Sequence, residues 1–353
     1  MSKKVNFIIV GQGIAGTLIA HFLEKANQSF VVIDDNKKNS SSKLAAGIIN
    51  PITGRRFVKS WMFDELYPFA KATYLELEHK LNTSFLYQHP IKRALFSQKE
   101  ENDWDGRALD ENYQPYMEEI PSVDTDIESC LAKPYSWGEI KGSGRMEMPL
   151  LVAKYRSYLI QKDLLMEECL DYSKLNHEKD GVAYKGLCAK YIIFCEGIGA
   201  INNPFFNYLP FVPSKGDVLF IRIRDTDFDK IIKHKVFIVP QGNEIYWIGS
   251  TYDWEYDNDL PSEIQATKLK EKLAKILTVP FEIVDHRAAI RPTVKDRRPF
   301  IGFHPNYQNY VIFNGLGTKG TTLGPFWANH LVNSIITNQK INPQVDIARF
   351  DNK

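Results

Sequence analysis

The chain has 353 residues, of which 44% are hydrophobic, and its 44 lysines and arginines against 43 aspartates and glutamates leave a formal net charge of +1. That length and apolar content can form two domains or one elaborated domain around a sizeable core. A balanced charge provides no global basic field, which argues against nucleic acid or a membrane as a general partner. Composition therefore favours a protein that acts on small molecules.

Cysteine usage and the amino-terminal segment predict a cytoplasmic protein without a metal site. The four cysteines, Cys130, Cys169, Cys188 and Cys195, form no CxxC pair and no cluster with histidine at metal-ligand spacing, so we expect reduced thiols. Gln12 and three glycines interrupt the first apolar stretch, unlike the core of a secretion signal. No uninterrupted apolar run approaches the roughly 20 residues that a membrane-spanning helix needs.

The first predicted element is a buried parallel strand at residues 5–10, which leads directly into the glycine motif at residues 11–16. In such a motif the first glycine permits a tight turn, the second lets a pyrophosphate approach the backbone, and the third lets the next helix pack closely. The start of that helix presents unpaired N–H groups and a positive dipole end to the phosphates. A second strand, residues 30–33, ends at Asp34, whose carboxylate is placed to accept hydrogen bonds from a ribose. The pattern predicts a dinucleotide site.

The last quarter of the chain repeats the pattern, with a strand at residues 310–314, a glycine-rich loop at 315–322 and an amphipathic helix at 324–336. Two such elements at opposite ends of one chain indicate a sheet built from distant segments, with a large cofactor across its carboxyl edge. A flavin uses both, because backbone N–H groups of residues 320–322 and the charge of Lys319 would stabilise the negative charge of its reduced ring. The pattern favours a flavin, whereas an NAD-linked dehydrogenase leaves the second loop without a role.

With these motifs the chain resembles the D-amino acid oxidase superfamily of FAD-dependent enzymes. The likeness is carried by five stretches: residues 11–16 with Asp34, 40–51, 189–197, 290–302 and 315–325. It implies an α/β fold with a Rossmann-type FAD-binding domain and a second, mixed or antiparallel β-sheet substrate domain. The FAD-binding domain is expected to be discontinuous and to comprise residues 1–84, 141–212 and 286–353. The substrate domain is expected to comprise residues 85–140 and 213–285. FAD is expected to be non-covalent, since no cysteine lies where flavinylated relatives attach it.

The motifs and the resemblance together define an expected cofactor site. The glycine motifs contribute Gly11, Gly13, Ile14, Ala15, Gly16, Asp34, Asp35, Gly315, Gly317, Thr318, Lys319, Gly320, Thr321 and Thr322. The resemblance adds Ser41, Ser42, Ala46, Gly47, Ile48, Leu170 and Gly197.

The resemblance also implies substrate residues. Arg291 stands in an Arg-Pro motif whose arginine pairs with the substrate carboxylate through two hydrogen bonds, a geometry that guanidinium supports better than an ammonium group. Lys319 is the second catalytic candidate, and Trp247 and Tyr252 are weaker substrate candidates. Phe237 replaces the tyrosine of glycine oxidase, and Trp247 stands near the position of the oxygen-activating lysine of sarcosine oxidase-like members. These departures leave the amine and the electron acceptor, oxygen or another, open.

A basic stretch, which includes Arg55, Arg56 and Lys59, follows the loop that the resemblance places along the flavin. These cations are candidates for the substrate entrance, where they would favour an acidic substrate. The alternative is a solvated turn.

The reaction predicted is the oxidation of a C–N bond in an amino acid or secondary amine, with hydride transfer from carbon to flavin N5 and hydrolysis of the imine in water. This chemistry needs orientation and an electrostatic sink more than a side-chain base, which agrees with the lack of an evident histidine or carboxylate pair. Three alternatives remain: an NAD-linked dehydrogenase, a flavin-dependent enzyme that modifies tRNA uridine, and a flavin-binding protein without catalysis. The oligomeric state is not predicted.

Overall fold

The computed structural model describes residues 3–119 and 123–350. Its α-helices are α1 Ile14–Lys25, α2 Ser41–Leu44, α3 Phe63–Leu81, α4 Gln98–Ala108, α5 Thr125–Ser129, α6 Met148–Gln161, α7 Glu263–Ala274 and α8 Gly320–Thr337. Short 3₁₀ helices span Tyr172–Lys174, Gly197–Asn202 and Ile347–Phe350. Within the described ranges no helix is both long and apolar enough to cross a bilayer.

The strands of the first half of the chain are β1 Lys3–Val10, β2 Phe30–Ile33, β3 Ile48–Ile49, β4 Ile52–Thr53, β5 Val58–Lys59, β6 Leu86–Gln88, β7 Ile91–Leu95, β8 Ser136–Ile140, β9 Gly144–Met146 and β10 Leu165–Met166. Those of the second half are β11 Leu175–Glu178, β12 Gly181–Tyr184, β13 Leu187–Phe194, β14 Ser214–Arg222, β15 Ile231–Lys233, β16 Phe237–Gly242, β17 Ile245–Gly249, β18 Glu282–Arg291, β19 Phe300–Phe303 and β20 Tyr310–Asn314.

An eight-stranded sheet joins the two ends of the chain, as the two glycine motifs predict. Strands β10, β2, β1 and β13 run parallel in that order, and β20 pairs in parallel with the second half of β13. The register sets Val10 against both Ile33 and Phe194, and Phe194 against Ile312. Because these strands end together, the loops that follow them meet at one carboxyl edge, where open α/β sheets bind ligands.

Apolar side chains cover both faces of this sheet. One face packs with α1, α3, α6 and α8 into the largest core cluster, and the other packs with aromatic residues of the segment after β13. Helix α8 begins at Gly320, four residues before the start at residue 324 that the amphipathic pattern predicted. Residues 320–322 therefore form its first turn; the Thr322 N–H donates to the Lys319 carbonyl at 3.0 Å, and the N–H groups of residues 320 and 321 precede the regular helical hydrogen bonds.

A mixed seven-stranded sheet lies above the carboxyl edge, in the order β18-β14-β17-β16-β15-β7-β8, with only the β15–β7 pair parallel among its pairs. One face packs against α7, and the other presents residues such as Val218, Trp247 and Ala289 toward the first sheet. The domain boundary expected at residue 286 falls inside β18, which pairs with β14 along its length as far as Arg291. Arg291 therefore stands at the end of a strand of the second sheet.

Candidate active site

A cavity of about 2500 Å³ lies between the carboxyl edge of the first sheet and the inner face of the second. All the expected cofactor and substrate residues line it except Gly16. Its wall contains fourteen lysines and arginines against six aspartates and glutamates, although the whole chain is nearly neutral. The excess of positive charge is thus local to the cavity, which suits anionic ligands.

The first glycine motif leaves no room for side chains at the cavity wall. Gly11 has φ +94°, and a Cβ there would lie 2.5 Å from the carbonyl oxygen of Cys195. A Cβ on Gly13 would lie 3.0 Å from the Ser42 hydroxyl, which accepts the Ile14 N–H at 3.0 Å. Bare backbone at the start of α1 therefore faces the cavity, as pyrophosphate binding requires.

Two further glycines act beneath the cavity, in the packing of the helices. A Cβ on Gly16 would lie 1.8 Å from the Gly11 carbonyl oxygen, so Gly16 brings α1 onto β1 and does not line the cavity. A Cβ on Gly324 would lie 2.6 Å from Cδ1 of Leu18, so α8 packs closely against α1. The two helices, which start 306 residues apart in the chain (14 and 320), thereby direct their N-termini into one cavity.

Asp34 follows β2 at the edge of the cavity, with Asp35 exposed beside it. Its carboxylate accepts the Gln12 N–H at 2.8 Å, the Asn36 N–H at 2.8 Å and Nη1 of Arg156 at 2.6 Å. A carboxylate offers about four acceptor positions, so capacity for a ribose hydroxyl remains. Arg156 lies on α6, and no motif in the sequence pointed to its pairing with Asp34.

The wall beyond Asp34 is formed by the segment between β10 and β11 and by the end of β13. Leu170 is buried there, and Gly197, with φ +56°, accepts Nδ2 of Asn314 at 2.9 Å through its carbonyl oxygen. The hydroxyl of Tyr172 donates to Glu196, and burial raises the pKa of that carboxyl. These contacts join the ends of β13 and β20 around the cavity.

Lys319 precedes α8 and is partly buried. Its Nζ donates to the Ser60 hydroxyl at 3.0 Å, and burial, followed by the charges of Arg297 and Arg298, lowers its pKa. The N–H groups of residues 320–322 start the helix beside it. A solvated loop lysine would show neither the burial nor the hydrogen bond, so the position suits contact with a bound group.

Arg291 projects from the end of β18 over a glycine. Its Nη2 donates to the Ser250 hydroxyl at 2.6 Å and to the Thr251 carbonyl at 3.2 Å, and its guanidinium carbon lies 4.6 Å from the Tyr252 ring centroid. A Cβ on Gly216 would lie 1.9 Å from Nη2, so only glycine leaves room for this side chain.

The other terminal nitrogen of Arg291, Nη1, is buried and has no hydrogen-bond partner among the described residues. Burial lowers the pKa of this guanidinium, although the charges of Tyr252 and Asp217 oppose the shift. A buried charged donor without a partner is destabilising. Since Arg291 lines the cavity, an anionic ligand bound there would supply the counter-charge that this guanidinium lacks.

A family model described as FAD dependent oxidoreductase, the D-amino acid oxidase family, matches residues 6–333. The chain belongs to this family. Glycine oxidase of Bacillus subtilis is 24% identical over 371 aligned positions, which cover 97% of this chain and 95% of that protein. Among solved structures, glycine oxidase of Geobacillus kaustophilus has a TM-score of 0.80 at 19% identity, with 99% of this chain and 98% of that chain covered. Iminodiacetate oxidase of a Chelativorans species has a TM-score of 0.75 at 18% identity, with 96% of each chain covered.

Membership confirms the resemblance, the Rossmann-type fold with its second mixed sheet, and FAD as the cofactor. It also decides between the two cofactors considered, FAD and NAD, in favour of FAD. The cavity fits FAD on its own geometry, because bare backbone at the start of α1, Asp34 and the first turn of α8 all border one large space. These groups match a pyrophosphate, a ribose and an electron-rich ring in turn.

Trp247, which the resemblance places near the oxygen-activating lysine of some family members, is buried in the cavity wall. Trp247 is only 7% exposed, and its Nε1 donates to the Leu44 carbonyl at 3.0 Å. Phe237, where glycine oxidase has tyrosine, lines the cavity and lies 4.2 Å below Nζ of Lys233.

The basic stretch lines the cavity, and its cations differ in their surroundings. Arg55 and Arg56 are exposed in the turn between β4 and β5, where none of the ion pairs that the structure describes involves them. Lys59 is neutralised by Asp64, with Nζ and Oδ2 2.6 Å apart. Two arginines at the rim thus remain to attract anions.

The cavity wall holds nine further lysines and arginines that the sequence did not single out, and two of them lie in strands of the second sheet. Arg93 on β7 and Lys233 on β15 are paired in register on neighbouring strands, and both line the cavity. Each stands in a short strand with no motif around it that pointed to a site. A basic residue within an apolar strand, as in Ile91–Leu95, was the only available signal.

Proposed function

We propose that the chain oxidises the C–N bond of an amino acid or of a secondary amine that carries a carboxylate, and that Arg291 binds this carboxylate. The observation that carries the proposal is the buried, unpartnered Nη1 of Arg291 in the cavity wall. Bound FAD would accept the hydride, and with it both electrons, of such an oxidation, and the amine nitrogen loses a proton to solvent. Glycine oxidase and iminodiacetate oxidase, which this chain resembles, are named for small carboxylate-bearing amines.

Arg291 is held in a fixed orientation before substrate binds. The Ser250 hydroxyl and the Thr251 carbonyl fix Nη2, while the Tyr252 ring lies against the guanidinium plane. With both Nη2 hydrogens donated to Ser250 and Thr251, Nη1 supplies the N–H groups for a carboxylate, in a fixed plane that a lysine ammonium lacks. The carboxylate would therefore be oriented as well as bound, and orientation is the main requirement of this reaction.

The remaining residues divide between the parts of the cofactor. The N–H of Ile14 with Ser42 would hold the pyrophosphate, and Asp34 the ribose. The first turn of α8 and Lys319 would stabilise negative charge on the ring, since helix N-termini and ammonium groups favour anions. Packing of α1 against α8 keeps these groups at a constant separation.

The first test replaces Arg291 by lysine and by glutamine and measures anaerobic reduction of the protein-bound flavin by a panel of amino acids and N-alkyl glycines. Loss of the charge-assisted contact with Nη1 should weaken binding of carboxylate amines by up to about a hundredfold, with FAD content unchanged. Admission of air after reduction then separates an oxidase, which recolours rapidly, from a dehydrogenase.

The matched control is Arg287→Gln, on the same strand, because Arg287 is exposed and pairs with Asp285 outside the cavity. Anaerobic titration of this variant with the same amines should give the substrate affinity of the wild type. If Arg291→Gln is reduced by the same amines at wild-type concentrations, the proposed role of Arg291 is wrong.

A further inference from the structure

The inner face of the seven-stranded sheet carries a second pair of cations away from Arg291. Lys233 on β15 is in register with Arg93 on β7 on one side and with Phe237 on β16 on the other. We call Arg93 and Lys233 the distal cation pair. Both line the cavity, and the Phe237 ring lies between them and the end of β17, where Ser250 binds Arg291.

Neither member of the distal cation pair forms a salt bridge within the described parts of the chain. Arg93 donates Nη2 to the Gly54 carbonyl at 3.0 Å and lies 4.7 Å from the Phe57 ring centroid, while its Nε is buried and unpartnered. Nζ of Lys233 lies 4.2 Å from the Phe237 ring centroid.

The acidic side chain that faces this end of the cavity is Glu100. It raises the pKa of Arg93, which burial lowers, and its Oε2 accepts the Phe96 N–H at 2.8 Å. Burial, and then the charges of Arg93 and Lys272, lower the pKa of Lys233 to about 8. Like charges directly opposite each other across a sheet are destabilising, and buried charges are normally paired. Among the described residues, Glu100 thus acts on Arg93 from a distance, and neither cation is held in an ion pair.

We propose that the distal cation pair is a second oxyanion subsite, so that the substrate is an amino acid or N-substituted glycine whose other end carries a second anionic group. The inference rests on the proposed function, because Arg291 takes the first carboxylate. It also assigns roles to Arg55 and Arg56, which lie beside the carbonyl that Arg93 binds and would attract such a dianion at the rim.

The sheet determines the spacing between the two subsites. Gly216 on β14, Gly249 on β17, Phe237 on β16 and Lys233 on β15 lie on consecutive strands, and neighbouring strands are about 4.8 Å apart. Since the guanidinium of Arg291 lies over Gly216 on β14, it is roughly three strand spacings, about 14 Å, from the backbone of Lys233 on β15. Lys233 leans back over Phe237, which shortens that span. A few methylene groups would bridge it, packed against the Phe237 ring.

The test titrates the holoenzyme anaerobically with a series of N-(carboxyalkyl)glycines of increasing chain length, their neutral terminal amides and their terminal phosphonates. The best diacid should bind about tenfold more tightly than its amide, which is the contribution of one charge-assisted contact. The phosphonate arm determines whether the second group is a carboxylate or a larger oxyanion.

Substitutions test whether the preference for diacid over amide depends on the distal cation pair. Lys233→Gln should abolish the tenfold preference for diacid over amide, whereas Arg93→Lys, which keeps the charge, should retain most of it. Lys270→Gln, on the exposed side of α7, is the matched control and should leave the preference unchanged. A separate readout uses dicarboxylates of the same lengths as inert ligands, which should raise the Tm of the wild type but not of Lys233→Gln.

Equal binding of diacid and amide, with oxidation of either still dependent on Arg291, would overturn the subsite and leave the proposed function standing. The same conclusion follows if Lys233→Gln weakens diacid and amide alike. If no amine reduces the flavin and Tm still rises with dicarboxylates in a Lys233-dependent manner, the proposed function fails while the anion subsite stands.

Discussion

At the scale of single residues, Arg291 occupies the cavity because position 216 is glycine. The sequence pointed to Arg291 through its motif but not to Gly216, since the two residues are 75 positions apart (291 and 216) and meet only across β14 and β18. A glycine within a strand indicates that another group approaches the backbone closely, but it does not show which residue that group belongs to. The distal cation pair could not be predicted from the sequence for the same reason, because Arg93 and Lys233 become neighbours only when their strands pair in the folded sheet.

A Gly216→Ala substitution should separate substrate binding from folding. The new Cβ would lie 1.9 Å from Nη2 of Arg291 and must displace the guanidinium, so carboxylate amines should bind at least about tenfold more weakly, with FAD retained. Anaerobic titration and flavin content measure the two effects. Gly106→Ala, in α4 with nothing within 4 Å, is the control and should leave binding intact. Wild-type substrate binding by Gly216→Ala would contradict the assigned position of Arg291.

At the scale of elements, the glycine loops and the strands before them were predictable because each has a local backbone requirement. The strand at residues 310–314 lies where the sequence indicated. The start of α8 was placed four residues late, because its first turn is rich in glycine and threonine, which periodicity does not recognise as helix. Contacts between elements, such as that of Arg156 on α6 with Asp34, could not be predicted, because no local sequence pattern indicates them.

The hairpin of β4 and β5 presents Arg55 and Arg56 at the rim of the cavity, which makes it an electrostatic element. The double variant Arg55→Ala, Arg56→Ala should weaken substrate binding and reduce its dependence on ionic strength, because exposed charges act over about a Debye length. Titrations of substrate at low and high salt measure both effects. The exposed pair Lys268→Ala, Lys270→Ala on α7 removes the same net charge away from the cavity and should change neither. If the Arg55→Ala, Arg56→Ala variant keeps the wild-type affinity and salt dependence, the two arginines lie in a solvated turn and do not attract substrate.

At the scale of the whole molecule, the fold brings the two ends of the chain together and covers their common edge with a second sheet. The fold class and the cofactor followed from two glycine motifs and a family resemblance, whereas the substrate side depends on which side chains share one face of the second sheet. That face gathers Arg291, Phe237, Lys233 and Arg93 from four strands with no common motif. Recognition of the amine is therefore a property of tertiary structure.

The most direct test of the account compares one carboxylate amine with its amide on the purified holoenzyme without oxygen. We predict a yellow protein with one FAD per chain, whose visible flavin absorbance is bleached by the acid and persists with the amide. Equal bleaching by both compounds, or a colourless protein that binds no FAD, would contradict it.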